Sequence, residues 1–388
     1  MRISAAGDRT HIRHLFLELT SPATNRHMIL ENIPLAPFTT FRVGGGARYF
    51  AEVKTIDELK EAILFAREGN LPFFILGGGS NVLISDLGFP GLVIKVSSRG
   101  ITHIEKGNDV LVTVAGGEIW DDFVSYAVSR GWCGIENLSG IPGTIGAAPV
   151  QNIGCYGSEV KDVIESVLVF DTEEKKIKNL SNEECKFSYR SSLFKKPEGK
   201  KYIIFSVTFR LSSAPYFQTD ETYKDNRFNI GELIKKQNIS PTLKDIRFVI
   251  LNVREEKGML IMAGRESYNS AGSFFAAPIV SSRVFESIAE IAGRIDKEKE
   301  KFLQPWSWEI ENNRVKIAPA FLLEFTQFNK GYHKGKVGIS PKHSLSIINR
   351  GGARAGEIYN LARDMRDAVE KVFGVKLEPE IEYVGQFV

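Results

Sequence analysis

The sequence predicts an α+β protein of two units joined near residue 213, and three observations carry that expectation. Strand-like and helix-like patterns alternate from about residue 30, with strands outnumbering helices in the first half. Between 213 and 230 the composition turns polar, Ser212, Ser213 and Pro215 leading into Gln218-Thr219-Asp220-Glu221, which reads as a domain boundary. Glycine contributes 35 of 388 residues and is bunched, a sign of backbone brought close to something or turned through positive φ.

Thr55 to Glu58 has the form of a capping box, in which the threonine oxygen and the glutamate satisfy each other's exposed backbone donors. Leu59, Ala62, Ile63 and Ala66 then recur at helical spacing, and Gly69-Asn70 ends the helix. An apolar strand, Pro72 to Leu76, runs into Gly77-Gly78-Gly79-Ser80-Asn81. Strands are expected around Leu92–Val96 and Val110–Val114, followed by a helix with Ile119, Phe123, Ala127 and Val128 on one face. Residues 131 to 160 are loop-rich. Strands return at Val167–Phe170 and Tyr202–Leu211, the second alternating as a half-buried antiparallel strand does. Between them Ser181 and Glu184 form a second capping box before an expected short helix. The last third holds helical patterns near 231–238, 242–256 and 281–293. A long C-terminal helix buries Ile358, Leu361, Ala362, Met365, Val369 and Val372, Gly374 closes it, and a strand over 380–384 ends the pattern.

The composition, 43% hydrophobic and 25% charged, is that of a folded globular chain and excludes a disordered one. A net charge of +3 argues against a protein built to neutralise many phosphates. Cys133, Cys155 and Cys185 lack a C-x-x-C spacing, which speaks against a disulfide framework or zinc site and for a reducing cytoplasm. No window approaches 18 uninterrupted apolar residues, so no membrane span is expected, and residues 1 to 29 read as an extension rather than a signal peptide.

Three glycine clusters fall within one stretch of the first half: Arg42-Val43-Gly44-Gly45-Gly46, Gly77 to Asn81, and Gly140-Ile141-Pro142-Gly143-Thr144-Ile145-Gly146. Unhindered backbone N–H groups make an anion cradle, although each cluster alone is equally a plain turn. None is a Walker A or Rossmann fingerprint. Together they suggest loops folding around one large polyphosphate-bearing ligand. Ser273 sits among Gly272, Phe274 and Phe275 with no G-x-S-x-G elbow around it. By residue type alone it is a serine in a turn, Arg190 a surface charge and Glu380 a solvated carboxylate.

In order, these segments resemble the UDP-N-acetylenolpyruvoylglucosamine reductase family of flavoenzymes, from about Ile33 to Gly385. The matching stretches are Thr39 to Gly45, Leu76 to Leu83, Gly140 to Gly154, Tyr189-Arg190, Gly272 to Phe275 and Leu377 to Glu380. The resemblance implies a two-lobed FAD-binding domain of the vanillyl-alcohol-oxidase/p-cresol-methylhydroxylase type over 30–213, with lobes of about 30–97 and 98–213. An α+β substrate-binding domain would follow over 214–388. It implies hydride transfer from NADPH to FAD and on to the enolpyruvyl double bond of UDP-N-acetylglucosamine enolpyruvate. By carry-over Ser273 is the general acid, and Arg190 and Glu380 stabilise the enol or enolate. The cofactor set would be Arg42, Gly44, Gly77, Gly78, Gly79, Ser80, Asn81, Gly143, Thr144, Gly146, Ala147, Gln151, Asn152 and Ile153. Substrate would meet Tyr189, Arg190, Lys257 and Ser273.

The expected protein is cytoplasmic, a monomer or weak oligomer, with non-covalent FAD, a small-molecule substrate, and no metal, nucleic-acid or membrane partner. Three departures from the family pattern stand out. Ala276 and Ala277 precede Pro278 where a polar or basic residue and then Asn are usual. Ile230 precedes Gly231-Glu232-Leu233 where a tyrosine is usual, with Tyr223 nearby. Arg254 and Lys257 match a basic pair near the substrate diphosphate, but the loop from Gly258 to Tyr268 is unlike the usual one. The alternatives are a paralogue reducing a different unsaturated acid and a flavin- or nucleotide-sugar-binding module without turnover. Substrate-driven flavin reoxidation separates the first reading from the paralogue, and bleaching of the flavin by NADPH separates both from the module.

Overall fold

The structure, a computed structural model, describes residues 29–214, 242–262, 268–310 and 312–387. The segments expected at 1–28 and 231–238, and Tyr223 and Ile230, lie outside the described residues.

The chain begins with β1 (Ile29–Pro34), β2 (Gly46–Val53), α1 (Ile56–Glu68), β3 (Phe73–Leu76), β4 (Val82–Ile84) and β5 (Phe89–Val96). Four of the strands form a sheet in the order β1-β2-β5-β3, with β2, β5 and β3 mutually parallel. The Thr55 capping box forms as expected, and Leu59, Ala62, Ile63 and Ala66 of α1 are buried on the sheet.

A second, antiparallel sheet follows, built from β6 (Ile101–Lys106), β7 (Asp109–Ala115), β10 (Ile164–Asp171), β11 (Lys176–Ser181) and β12 (Tyr202–Ser212). Its order is β11-β10-β12-β7-β6. Helix α2 (Trp120–Ser129) packs on it, and a short hairpin of β8 (Gly154–Cys155) and β9 (Ser158–Glu159) lies in the loop-rich stretch. Trp120, not Ile119, starts the buried face of α2; Ile119 is its exposed N-cap.

β12 is not half-buried. It is the centre strand and serves two cores: Ile203 and Phe205 pack with α1, while Ile204, Val207, Phe209 and Leu211 pack with α2. A register shift against β10 between Leu168 and Val169 changes the phase of the alternation.

The expected helix after Ser181 is also absent. Both capping bonds form, Glu184 N–H to Ser181 Oγ and Ser181 N–H to Glu184 Oε2. The chain then leaves after one turn, because Leu193 N–H takes the Cys185 carbonyl at 2.8 Å and Lys186 adopts φ 48°.

Helix α3 (Leu243–Glu256) lies beyond the composition shift but joins the core of the second sheet through Ile246, Val249, Ile250 and Val253. Arg247 forks onto Asp121 of α2 at 2.6 and 2.8 Å, and Asp121 also accepts from Gly140 N–H. The remaining elements are β13 (Ile279–Ser281), α4 (Ser282–Ile295), α5 (Lys297–Glu300), β14 (Ser307–Ile310), β15 (Arg314–Ile317), α6 (Pro319–Leu323), β16 (His333–Lys334), β17 (Val337–Ile339), β18 (Ile347–Asn349), α7 (Ala355–Phe373) and β19 (Glu382–Val384).

β13, β15 and β14 make a three-stranded sheet, and α4 and α7 share the last core. α7 buries Ile358, Leu361, Ala362, Met365 and Val369 and ends at Gly374 in the left-handed conformation, as expected. β19 returns to pair in parallel with β4, carrying the C-terminal segment to the first glycine loops. No helix among the described residues is long and apolar enough to cross a membrane.

Candidate active site

β3 delivers the chain into Gly77–Asn81, and two glycine loops meet there. A Cβ on Gly78 would lie 2.7 Å from the Gly143 Cα, and one on Gly77 would lie 2.9 Å from Thr144 Oγ1. Only glycine permits that approach. Ser80 Oγ ties the loops together by donating to the Pro142 carbonyl at 3.0 Å. A cavity of about 510 Å³ opens beside the junction. Its wall includes Gly77, Gly78, Gly79, Ser80, Asn81, Gly143, Thr144, Ala147, Gln151 and Ile153 of the expected cofactor set.

Arg42, Gly44, Gly146 and Asn152 are not part of that wall. The Arg42 cluster turns away. Arg42 Nη1 donates to the Pro37 carbonyl, a Cβ on Gly45 would collide with the Asp86 carbonyl, and Phe41 and Val43 sink into the C-terminal core. Asn152 is fully buried behind the wall, where it donates to Glu159 and to the Ser188 carbonyl.

The three expected catalytic residues reach the same cavity from separate parts of the chain. Phe275 bridges Pro379, and Glu380 N–H donates to the Phe274 carbonyl at 2.8 Å, so Ser273 and Glu380 come from adjacent rungs of one small ladder. Asn81 joins that ladder to the glycine loop: its side-chain N–H donates to Gln151 Oε1 at 2.9 Å and to the Glu380 carbonyl at 3.2 Å, a contact across 299 positions. Ser273 Oγ makes no hydrogen bond among the described residues.

Arg190 arrives on a tight turn closed by reciprocal backbone bonds between Ser188 and Ser191. It sits at φ 50°, a conformation that L side chains adopt only at a cost of about 1–3 kcal/mol. Ser192, fully buried, anchors the turn by donating to the Val150 carbonyl at 2.6 Å, and Asn152 holds Ser188. Arg190 Nε lies 3.1 Å from Glu380 Oε1, an ion pair off the hydrogen-bonding direction that leaves the buried Nε–H without a hydrogen-bond partner. Burial is the largest single influence and opposes the guanidinium charge, but Glu380, Tyr189, Cys155 and Glu159 together outweigh it and the pKa is raised.

Of the expected substrate residues, Tyr189 and Lys257 lie outside the wall, Lys257 Nζ standing 5.3 Å from the Tyr156 ring centroid. Arg254 does line it, buried and donating to the Gly140 and Met259 carbonyls. Ala276 and Ala277 do not face the cavity. Cys155 does, and sequence reasoning did not place it there; its thiol donates to the Asn137 carbonyl, and burial pushes its pKa up, keeping it a thiol. Its one signal was its position directly after the Gly140–Gly154 run. Lys195 and Lys200, also in the wall, carry no such signal.

The glycine junction and the cavity beside it fit a long phosphate-bearing cofactor, and the class is a flavoprotein, because the first half of the chain matches an FAD-binding family. Residues 47–180 match the FAD binding domain family. Residues 265–384 match the C-terminal domain of UDP-N-acetylenolpyruvoylglucosamine reductase. Among curated relatives, the UDP-N-acetylenolpyruvoylglucosamine reductase of Thermobifida fusca is 36% identical over 364 residues, covering 92% of this chain and 98% of its own length. The enzyme of the same name from Pseudomonas aeruginosa is 34% identical over 352 residues, with coverages of 90% and 97%. A crystal structure of the Thermus caldophilus reductase superposes with a TM-score of 0.58 at 26% identity, over 92% of this chain and 98% of that one. The chain belongs to the UDP-N-acetylenolpyruvoylglucosamine reductase family. The expected fold class, an α+β chain with an FAD-binding domain of this type, is borne out.

Proposed function

We propose that the chain reduces UDP-N-acetylglucosamine enolpyruvate to UDP-N-acetylmuramate in peptidoglycan precursor synthesis, with bound FAD and with NADPH as hydride donor. The observation that supports this best is the hydrogen-bonded track from Gln151 through Asn81 and Glu380 to the Ser273 segment. It fixes the acid and the carboxylate against the wall formed by the glycine loops. The Gly77–Asn81 loop, with Gly143 and Thr144, would hold the FAD non-covalently by backbone donors, and Ala147, Gln151 and Ile153 would line its seat. Arg42, Gly44, Gly146 and Asn152 would serve by shaping the loops behind that wall. When bound, FAD supplies the acceptor and donor of hydride that no side chain can provide.

Reduction of the enolpyruvyl double bond pushes negative charge onto the substrate carboxylate. The Arg190 guanidinium, preorganised by its turn, stabilises that charge. Glu380 holds Arg190 in place. Ser273, whose hydroxyl is a poor acid in water, can protonate a carbanion more basic than itself in a site from which water is excluded. Tyr189 and Lys257 would meet the substrate beyond the cavity wall.

We take the FAD-binding domain as 30–213, in two lobes, with α3 docked back onto it, and the substrate domain as 214–388. The protein acts on a small molecule in the cytoplasm, as a monomer or weak oligomer, without nucleic-acid or membrane partner.

The test is an anaerobic absorbance titration of the purified protein. NADPH should bleach the flavin band near ~450 nm, and UDP-N-acetylglucosamine enolpyruvate should restore it rapidly. A flavin that bleaches and stays reduced in the presence of that substrate would overturn the assignment in favour of another acceptor.

A further inference from the structure

Lys316 lies on β15 in the C-terminal half, with Ile279 and Trp308 as its cross-strand neighbours. The residue is half-buried, and its ammonium turns onto aromatic faces. Nζ stands 3.4 Å from the centroid of the Tyr189 ring and 5.8 Å from that of Trp308. It takes part in no hydrogen bond or ion pair among the described residues. A lysine that gives up hydration without a carboxylate partner needs another source of attraction, and two aromatic faces supply one. Tyr189 precedes Arg190, whose guanidinium carbon lies 5.8 Å from the same ring. The strained turn is therefore held on one side by Asn152 and Ser192 and on the other by Lys316.

We propose that protonated Lys316 is a positioning residue: by clamping the Tyr189 ring it fixes the Tyr189–Arg190 turn, and so sets the Arg190 guanidinium against Glu380 and the substrate carboxylate. The inference rests on the reaction proposed above. The groups that face Lys316 are Arg190 and Tyr189 on the turn, Glu159 on β9 and Glu380 on the ladder. Burial pushes its pKa down from 10.5 to about 8; Arg190 adds to the fall, and Glu159 and Glu380 oppose it. Glu159 is itself paired to Lys161 at 2.5 Å, so its field is partly spent.

The direction of the pH effect follows. Below about 8 the ammonium is present and the clamp closed; above it the amine is neutral, the attraction to the ring is lost and the turn loosens. Stability runs the other way. The unfolded chain keeps the proton to about 10.5 while the folded one releases it near 8, so folding gains stability as pH rises through that window. A lysine that merely packed would show no alkaline loss of activity set against that gain.

The experiment follows substrate-driven flavin reoxidation against pH in the holoprotein and in Lys316→Arg and Lys316→Met. In the unaltered protein the rate should fall with a midpoint near 8. Lys316→Arg should keep the rate at pH 7 and move the fall above pH 10, because a guanidinium stays charged. Lys316→Met should lower the rate about tenfold at pH 7 and abolish the fall. Bleaching by NADPH should be unchanged in both variants. An alkaline fall that stays put in Lys316→Arg, or an unreduced rate in Lys316→Met, would overturn the role.

A protein whose flavin is not reoxidised at any pH would sink the proposed reaction instead. The clamp is then still read by NMR of lysine-labelled protein. The resonance lost in Lys316→Arg should titrate near 8 and move up toward 10.5 when Tyr189→Leu uncovers it. A resonance that titrates near 10.5 with Tyr189 in place would overturn the clamp.

Discussion

At Gly77, Gly78, Gly79 and Gly143 the cavity wall is backbone, since glycine has nothing else to offer, whereas Arg190, Ser273 and Glu380 bring side chains to it. The backbone wall is local and unforgiving: it depends on two loops touching, and almost any added atom separates them. The side-chain wall is assembled from three distant segments, and it keeps its shape through supports such as Ser192, Asn152 and the Phe275–Pro379 bridge. Damage to the first should show as lost cofactor, and damage to the second as lost turnover with the cofactor in place.

The largest effect should come from Ser273→Ala. Loss of a general acid slows substrate-driven flavin reoxidation by about 10²–10⁴-fold, while stopped-flow bleaching by NADPH and flavin content stay as they were. Equal losses in both half-reactions would show that the serine shapes the site instead of donating a proton.

Arg190→Gly sharpens the contrast, because it removes the guanidinium and relieves the turn together. Reoxidation should fall by about 10²–10³-fold. Thermal unfolding should place the Gly variant about 1 kcal/mol above Arg190→Ala, since alanine keeps the cost of φ 50° and glycine does not. Identical melting of the two variants would mean that the turn reshapes freely and is not held for function.

Gly78→Ala attacks the other wall. Its Cβ would stand 2.7 Å from Gly143 Cα, backbone that cannot swing aside. Separating the loops should cost about 1–3 kcal/mol. That predicts FAD affinity roughly tenfold or more weaker by fluorescence titration, with near-normal half-reactions at saturating FAD. Full retention of flavin would contradict the close approach.

How much of this was legible differs between the walls for the same reason. Glycine is visible in a sequence, so Gly77–Asn81 and Gly140–Gly146 could be picked out as loops with a purpose, and α1 and α7 declared themselves by capping and period. Glycine does not say what it approaches, and the Arg42–Gly46 run proved to face Asp86 and the C-terminal core. The Ser181 box shows the same limit: its two bonds form, yet Leu193 captures the Cys185 carbonyl and ends the helix a turn in. Chemistry alone left Ser273, Arg190 and Glu380 as a turn serine, a surface charge and a solvated acid. Only the resemblance joined them, because the ladder that unites them is a tertiary fact. Lys316 had no local pattern at all, and Cys155 only its place after the Gly140–Gly154 run.

The smallest effect expected is at Ser192, which binds nothing but holds the Arg190 turn. Ser192→Ala loses the bonds to the Val150 carbonyl and from Phe194 N–H in a fully buried position. The loss should cost about 1 kcal/mol of stability in chemical denaturation. FAD affinity should not change, because the glycine loops are untouched, whereas reoxidation should slow by less than about tenfold as the turn samples other conformations. If instead the variant lost flavin and left reoxidation intact, the turn would belong to the cofactor wall, and the division between a backbone-built cradle and a side-chain-built catalytic face would fail at the residue that joins them.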